Sequence, residues 1–239
     1  MIDIILYTGA CSAVVYLSIL IYIVCGIMRS RVKLKDEKIS VSIIVAAHNE
    51  DKNIAVCLDS LLNQDYPEEK MEIIIVNDRS QDDTAMILAE YEQNHKLFRA
   101  LSILECEKGL SPKKNALTHG INIAKGEIIA VTDADCRAPT QWLKKGVSYF
   151  TPKTGMVVGL APLNPTSFWM SPLMCVDAIV GSITAYGSLA WNHAVTCTGR
   201  NLFYRKKLFE EIGGFSGIDH ILMGDDDLLM MKIWKQTDW

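Results

Sequence analysis

The chain opens on a long apolar block. From Ile4 to Met28 there is no charged residue, and most positions are hydrophobic. A helix needs about 20 such residues to cross a bilayer core, so the block predicts a transmembrane helix within residues 1–28. It exceeds the roughly 7–15 residues of a secretory signal core, and no basic stretch precedes it. Arg29, Arg31, Lys33 and Lys35 come immediately after it. Positive charge beside a span marks the cytoplasmic side. The expectation is a single N-terminal span, a charged connector over 29–40, and a cytoplasmic domain over 41–239.

From Val41 the pattern changes to short apolar runs alternating with amphipathic stretches. Strands are predicted at Val41–Ala47, Met71–Asn77, Ala100–Leu104 and Glu127–Thr132. Helices are predicted at Lys52–Asn63, Asp83–Gln93, Lys113–Ala124 and Thr140–Phe150. In the helix from Lys52, Ile54, Val56, Leu58, Leu61 and Leu62 recur near a 3.6-residue period. Such alternation predicts an α/β fold, a mostly parallel sheet flanked by helices on both faces.

After Phe150 the regularity weakens. Met156–Leu160 is a further strand candidate, and Pro162, Pro165 and Pro172 interrupt the next stretch of chain. Val176–Leu189 is apolar but contains Asp177, Gly181 and Gly187. A core helix, a membrane-surface helix and a second span all fit; a helix near the membrane surface or the active site is favoured. The last apolar run is Leu228–Trp234, and no closure of the fold is visible after it. The domain is therefore expected to be naturally short or to continue past Trp239.

Composition narrows the class. The 239 residues carry a formal net charge of −4, which argues against the basic footprint of a nucleic-acid binder. Seven cysteines, an odd number without a Cys-x-x-Cys pair, read as reduced thiols rather than a zinc site or disulfide framework. His48, His193 and His220 lack metal-ligand spacing, and Trp169 and Trp191 read first as packing residues.

The chemistry gathers where strands end. Ile128-Ile129-Ala130-Val131-Thr132 runs into Asp133-Ala134-Asp135. Open α/β sheets bind ligands at the carboxyl ends of their strands. Two acids there suit a divalent cation, since Mg²⁺ is usually held by one or two carboxylates plus substrate phosphates. Alone, the pair reads first as a solvated acidic turn. The first strand ends in Ala46-Ala47-His48-Asn49-Glu50, where small residues let a ligand approach the backbone. The second ends in Asn77-Asp78-Arg79-Ser80-Gln81-Asp82, where Asp78 can accept from a nucleobase or ribose, and Ser80 or Asp82 can cap the next helix. The turn from Lys108 through Pro112, Lys113 and Lys114 reads alone as a solvated face. Asp225-Asp226-Asp227 reads alone as an acidic helix start.

As an ordered set these pieces resemble the family 2 glycosyltransferases, which have the nucleotide-sugar-binding GT-A fold. Thr198-Gly199-Arg200-Asn201-Leu202-Phe203-Tyr204-Arg205, Gly213-Gly214-Phe215 and Gly224-Asp225-Asp226-Asp227 belong to the same resemblance. It implies transfer of a sugar from a UDP-sugar to a hydroxyl acceptor, lipid-linked or glycan. Ala47, Glu50, Asp78, Lys113 and Asp133 would hold the nucleotide sugar. Asp133 and Asp135 would hold Mg²⁺ or Mn²⁺. Asp226, or Asp225 beside it, would be the catalytic base, and Arg200 and Asn201 would contact acceptor or diphosphate. Pro112 stands where the family usually has glycine, and Asp225 where it usually has glutamate. The processive members' Gln-x-x-Arg-Trp segment is absent from Lys235-Gln236-Thr237-Asp238-Trp239. Two other readings use the same acids. One is a nucleotidyltransferase of related fold, which needs no acceptor base. The other is a membrane-anchored binding module without turnover.

Overall fold

The computed structural model describes residues 2–29, 38–106 and 109–239. Arg31, Lys33 and Lys35 of the expected connector, and Lys108, lie outside the described residues. The chain divides into two compact units.

The larger unit contains residues 38–160 and 198–239 of the described chain. Its elements run β1 (Val41–Ala47), α2 (Ile54–Leu62), β2 (Met71–Asp78), α3 (Thr84–Asn94), β3 (Phe98–Ile103), α4 (Pro112–Ile123), β4 (Ile128–Val131), α5 (Trp142–Ser148) and β5 (Met156–Val158), then β6 (Leu202–Arg205), α7 (Lys206–Glu211) and α8 (Asp227–Gln236). The six strands form one sheet in the order β3-β2-β1-β4-β6-β5. Neighbours from β3 to β4 are parallel. β6 runs antiparallel to both β4 and β5.

The parallel strands are continuous apolar runs because both sheet faces are covered. Ile43, Val45, Ile73 and Ile75 pack with Leu58 and Leu61 of α2 and Leu143 and Val147 of α5 in one core cluster. On the other face α4 lies close to the sheet. A Cβ on Gly120 would come within 2.7 Å of the Ile44 side chain, so only glycine permits that approach. Glu72, near the start of β2, is engaged: its Oε1 accepts from Ser42 Oγ at 2.5 Å and from Lys125 N at 2.6 Å.

Strand bounds shift from expectation: β2 extends to Asp78, β4 is Ile128–Val131 within the expected Glu127–Thr132, and β5 stops at Val158. β3 lies at Phe98–Ile103 rather than Ala100–Leu104, because its pairing with β2 begins at Ile73↔Phe98 and leaves Leu104 exposed. β6 is only four residues long, too short to show a pattern, and is defined by its partners β4 and β5.

The smaller unit pairs α1 (Ile2–Arg29) with α6 (Ser171–Leu189) and the residues flanking α6. Pro172, expected to interrupt, sits in the first turn of α6, where a missing N–H costs nothing. A Cβ on Gly26 would come 2.1 Å from the Gly187 carbonyl oxygen, so the two backbones touch. Trp191 Nε1 donates to Tyr22 O at 3.0 Å, and the two rings stack. Leu173, Val176, Ile179, Val180 and Ile183 of α6 are exposed, so α6 is not a core helix. Among the described residues, α1 and α6 are long and apolar enough to cross a membrane.

Candidate active site

The strand order reverses direction of growth at β1, which has β2 on one side and β4 on the other. Ligands in open α/β sheets bind at such a switch point, beyond the strands' carboxyl ends. A cleft of about 400 Å³ opens there. It is lined by Ala46, Ala47, His48 and Glu50 after β1, and by Asp78 and Arg79 at the end of β2. Pro112 and Lys113 of α4 and Asp133, Ala134 and Asp135 after β4 complete it. The structure thus brings together Ala47, Glu50, Asp78, Lys113, Asp133 and Asp135. A larger hollow, about 670 Å³, is lined by residues 152–153, 211–212 and 236–239, away from these strand tips.

The loops after β1 and β2 are stitched to each other. Asn49 and Arg79 both have φ of 56°, a left-handed conformation that asparagine tolerates and arginine rarely adopts. Asn49 N donates to Ser80 Oγ at 3.0 Å, and Asn49 Oδ1 accepts from Gln81 N at 2.8 Å. Glu50 N donates to Thr84 Oγ1, and Asp51 N to Asp82 Oδ2. Asp82 Oδ1 also accepts from Thr84 N at the start of α3. Asp82 therefore does cap-like work, while Ser80 serves the β1 loop. Glu50 Oε2 accepts from Asn53 Nδ2 at 2.9 Å, which orients the carboxylate.

Asp78 is buried, and Arg79 grips it with two bonds, Nε to Oδ1 at 2.8 Å and Nη2 to Oδ2 at 3.1 Å. A carboxylate offers about four lone-pair sites, so the grip leaves capacity for a ligand. His48 Nδ1 lies 2.5 Å from the Asp78 carbonyl. The sequence pattern assigns Arg79 and His48 no role. Only the folded loop shows that Arg79 turns back on its neighbour.

Lys113 joins the two acid clusters. Its Nζ is 2.8 Å from Asp133 Oδ1 and 3.1 Å from Asp225 Oδ2. Burial alone would lower its pKa, but the two carboxylates outweigh that and raise it, so Lys113 stays charged at neutral pH. Asp226 accepts from Gly199 N through Oδ2 at 2.7 Å and from Asp227 N through Oδ1 at 2.7 Å. It is also the N-cap of α8. A Cβ on Gly199 would come 3.1 Å from Asp225 Oδ2, 3.5 Å from Asp226 Oδ2 and 3.6 Å from Lys113 Nζ. Gly199 is therefore the floor on which Lys113, Asp225 and Asp226 converge.

Asp225, Asp226, Arg200 and Asn201 are not among the residues lining the cleft; Asp225 reaches it through its pairing with Lys113. Thr132 Oγ1 donates to the Arg200 carbonyl at 2.8 Å, and Arg200 Nε donates to Thr198 Oγ1 at 3.2 Å. The Asn201 amide makes two framework contacts: Oδ1 accepts from Trp142 Nε1 and Nδ2 donates to Leu160 O. These bonds tie the start of β6 to α5 and to the chain after β5. The second lysine of the turn also departs from the solvated face expected of it. Lys114 is buried.

Among the described residues, no group of three or more His, Cys, Asp or Glu could hold a metal alone. The donor set nonetheless fits Mg²⁺ or Mn²⁺. Asp133 and Asp135 supply two carboxylates on one open wall, and such ions take their remaining ligands from phosphate and water. Behind that wall, burial and then nearby Cys136, Asp135, Asp133 and Glu50 push the Cys57 thiol up to about 12. It remains a neutral thiol, with Sγ 3.6 Å from the Asp133 carbonyl.

Residues 42–213 match the model of glycosyl transferase family 2. The chain belongs to that family. It is 34% identical over 212 residues to a beta-monoglucosyldiacylglycerol synthase from Synechocystis, covering 82% of this chain and 41% of that one. It is 32% identical over 179 residues to a poly-beta-1,6-N-acetyl-D-glucosamine synthase from Staphylococcus epidermidis, covering 72% and 41%. The chain spans about half the length of the curated relatives it matches. Its fold is that of a Pyrobaculum calidifontis mannosyltransferase solved with GDP-Man and Mn²⁺, at TM-score 0.71, 23% identity, and coverage of 94% and 61%. TarS of S. aureus with UDP-GlcNAc matches at TM-score 0.59, 19% identity, and coverage of 82% and 53%. The chain thus has the GT-A fold.

Proposed function

We propose that this glycosyltransferase moves a sugar from a UDP-sugar to a hydroxyl acceptor, lipid-linked or glycan, at the cytoplasmic face of a membrane, with inversion at the anomeric carbon. The observation that carries the reading is the single cleft lined by Glu50, Asp78, Lys113, Asp133 and Asp135, with Lys113 leading from Asp133 to Asp225. The base end is offered to Asp78, the diphosphate end to Asp133, Asp135 and Lys113. Asp135 and Asp133 would hold Mg²⁺ or Mn²⁺, which when bound neutralises charge on the leaving diphosphate.

The chain's own residues account for the rest. Asp226 takes the acceptor hydroxyl's proton as that oxygen bonds to the anomeric carbon. The bond from that carbon to the diphosphate oxygen breaks, and the nucleoside diphosphate leaves with its electrons. One displacement inverts the centre. Asp226 is preferred to Asp225 as base because Asp225 is paired with Lys113. Each Asp226 oxygen, already accepting one backbone N–H, has a lone pair left for the acceptor.

Support for the membrane face comes from the apolar α1, with Arg29 in its last turn and Arg31, Lys33 and Lys35 after it. Support for a lipid-linked or glycan acceptor comes from the names of the relatives. Support for a metal and a nucleotide sugar comes from the ligands with which the structural neighbours were solved.

The test is a donor panel of UDP-Glc, UDP-GlcNAc, UDP-Gal and GDP-Man, with and without Mn²⁺, on membranes containing the protein. Divalent-dependent UDP release from one UDP-sugar, and a product of opposite anomeric configuration, is the expected result. Release of pyrophosphate from a nucleoside triphosphate instead, or retention of configuration, would overturn the reading.

A further inference from the structure

Lys114 comes directly after the cleft lysine Lys113 on α4 yet is only 1% exposed. Its ammonium meets three backbone carbonyls: Ile218 at 3.0 Å, Ile221 at 2.6 Å and Met223 at 2.8 Å. An ammonium has three protons, so its hydrogen bonding is complete. Ser111 adds two more ties, with N donating to Asp219 O at 2.6 Å and Oγ to Leu222 O at 3.0 Å. From the other side Lys232 of α8 donates to Gly214 O at 2.8 Å and Ser216 O at 2.7 Å.

The segment held this way, between α7 and α8, has no helix or strand ladder of its own. Gly213, Gly217 and Gly224 carry φ of +70°, +84° and +76°, so the path depends on left-handed turns that only glycine adopts cheaply. Because the carbonyls turn inward, the side chains of Leu222 and Met223 turn outward, at 73% and 82% exposure. Met223 leads directly into Gly224, Asp225 and Asp226. Desolvation outweighs the opposing pull of Asp225, Asp219 and Asp226 and lowers the Lys114 pKa.

We propose that Lys114 is a positioning residue for sugar transfer: by closing on the Ile218, Ile221 and Met223 carbonyls it fixes the chain that delivers Asp225 and Asp226. The inference rests on the reading of Asp226 as acceptor base. Lys114 itself is not among the residues lining the cleft. A displacement of about 1 Å in a reacting group can cost about 10²-fold in rate, and Lys114 supplies three of the bonds that hold this segment to α4.

The test uses the full chain with Lys114→Met, which keeps the aliphatic stem and removes the ammonium. Binding of UDP and of GDP, each with Mn²⁺, is measured by calorimetry, transfer by kcat, and loop order by amide exchange. Expected are nucleotide affinity within about twofold, exchange over 213–227 faster by about tenfold or more, and kcat lower by about 10²-fold. Three results overturn the proposal: unchanged exchange, a loosened loop with unchanged kcat, or nucleotide binding lost in step with kcat. If Lys114→Met does not fold, Ser111→Ala removes only the Leu222 tie and should give the same pattern on a smaller scale; faster exchange with kcat intact would again overturn it. Asp226→Asn separates the two readings. If that variant still transfers sugar, the base assignment fails, whereas the loop exchange of Lys114→Met tests the clamp by itself.

Discussion

Single residues set the tolerances of this site. Gly199 packs within contact distance of Lys113, Asp225 and Asp226, and its N–H supports the Asp226 carboxylate. A methyl placed 3.1 Å from Asp225 Oδ2 is tighter than ordinary van der Waals contact. Gly199→Ala should keep the fold, because the carboxylate tips can shift, but should lower kcat by about 10-fold or more by displacing the acids. A kinetic comparison at saturating donor checks this, and wild-type kcat would mean that the acid pair is not held by that contact. The same scale explains where sequence reading falls short. Lys113 and Lys114 are adjacent and chemically identical, yet one lines the cleft and the other is buried under three carbonyls. Nothing in a Pro-Lys-Lys-Asn string says which face of the helix meets a loop about a hundred residues later. The framework bonds of Asn201 are hidden for a related reason: its partners, Trp142 and Leu160, are distant in sequence.

Elements were more legible than contacts. The central strands announce themselves because a parallel sheet covered on both faces needs unbroken apolar runs; β1 runs over Val41–Ala47 as expected. Legibility fades where an element is short or owes its shape to a partner, as in β6 and α7. α6 is the informative intermediate. Its composition left three roles open, and its exposed Leu173, Val176, Ile179 and Ile183 remove the core-helix role. Its pairing with α1 depends on two glycines in backbone contact. Gly26→Leu would drive a side chain into the Gly187 carbonyl, since even a Cβ would come within 2.1 Å, and such overpacking costs typically about 1–3 kcal/mol. Amide exchange across 185–193 should therefore speed up in this variant, in detergent or lipid. Unchanged exchange there would show that the glycine contact does not hold the pair.

At the scale of the molecule, an apolar helical unit accompanies a GT-A unit whose chain it interrupts between β5 and β6. The charge-free stretch and the acid-tipped strands were both readable from the sequence, because each arises from a local pattern with a plain physical demand. The convergence of Asp133, Lys113 and Asp225 was not readable as geometry, because it joins the end of β4, the start of α4 and the start of α8. From that convergence follows the proposed division of labour, in which one wall of the cleft holds the donor diphosphate and Asp226 takes the acceptor's proton. The most direct measurement pairs donor binding with transfer in Asp226→Asn. Nucleotide binding within about twofold of the unaltered protein is expected, with transfer reduced by about 10²-fold or more. Transfer at the unaltered rate, or donor binding lost in proportion to transfer, would contradict it.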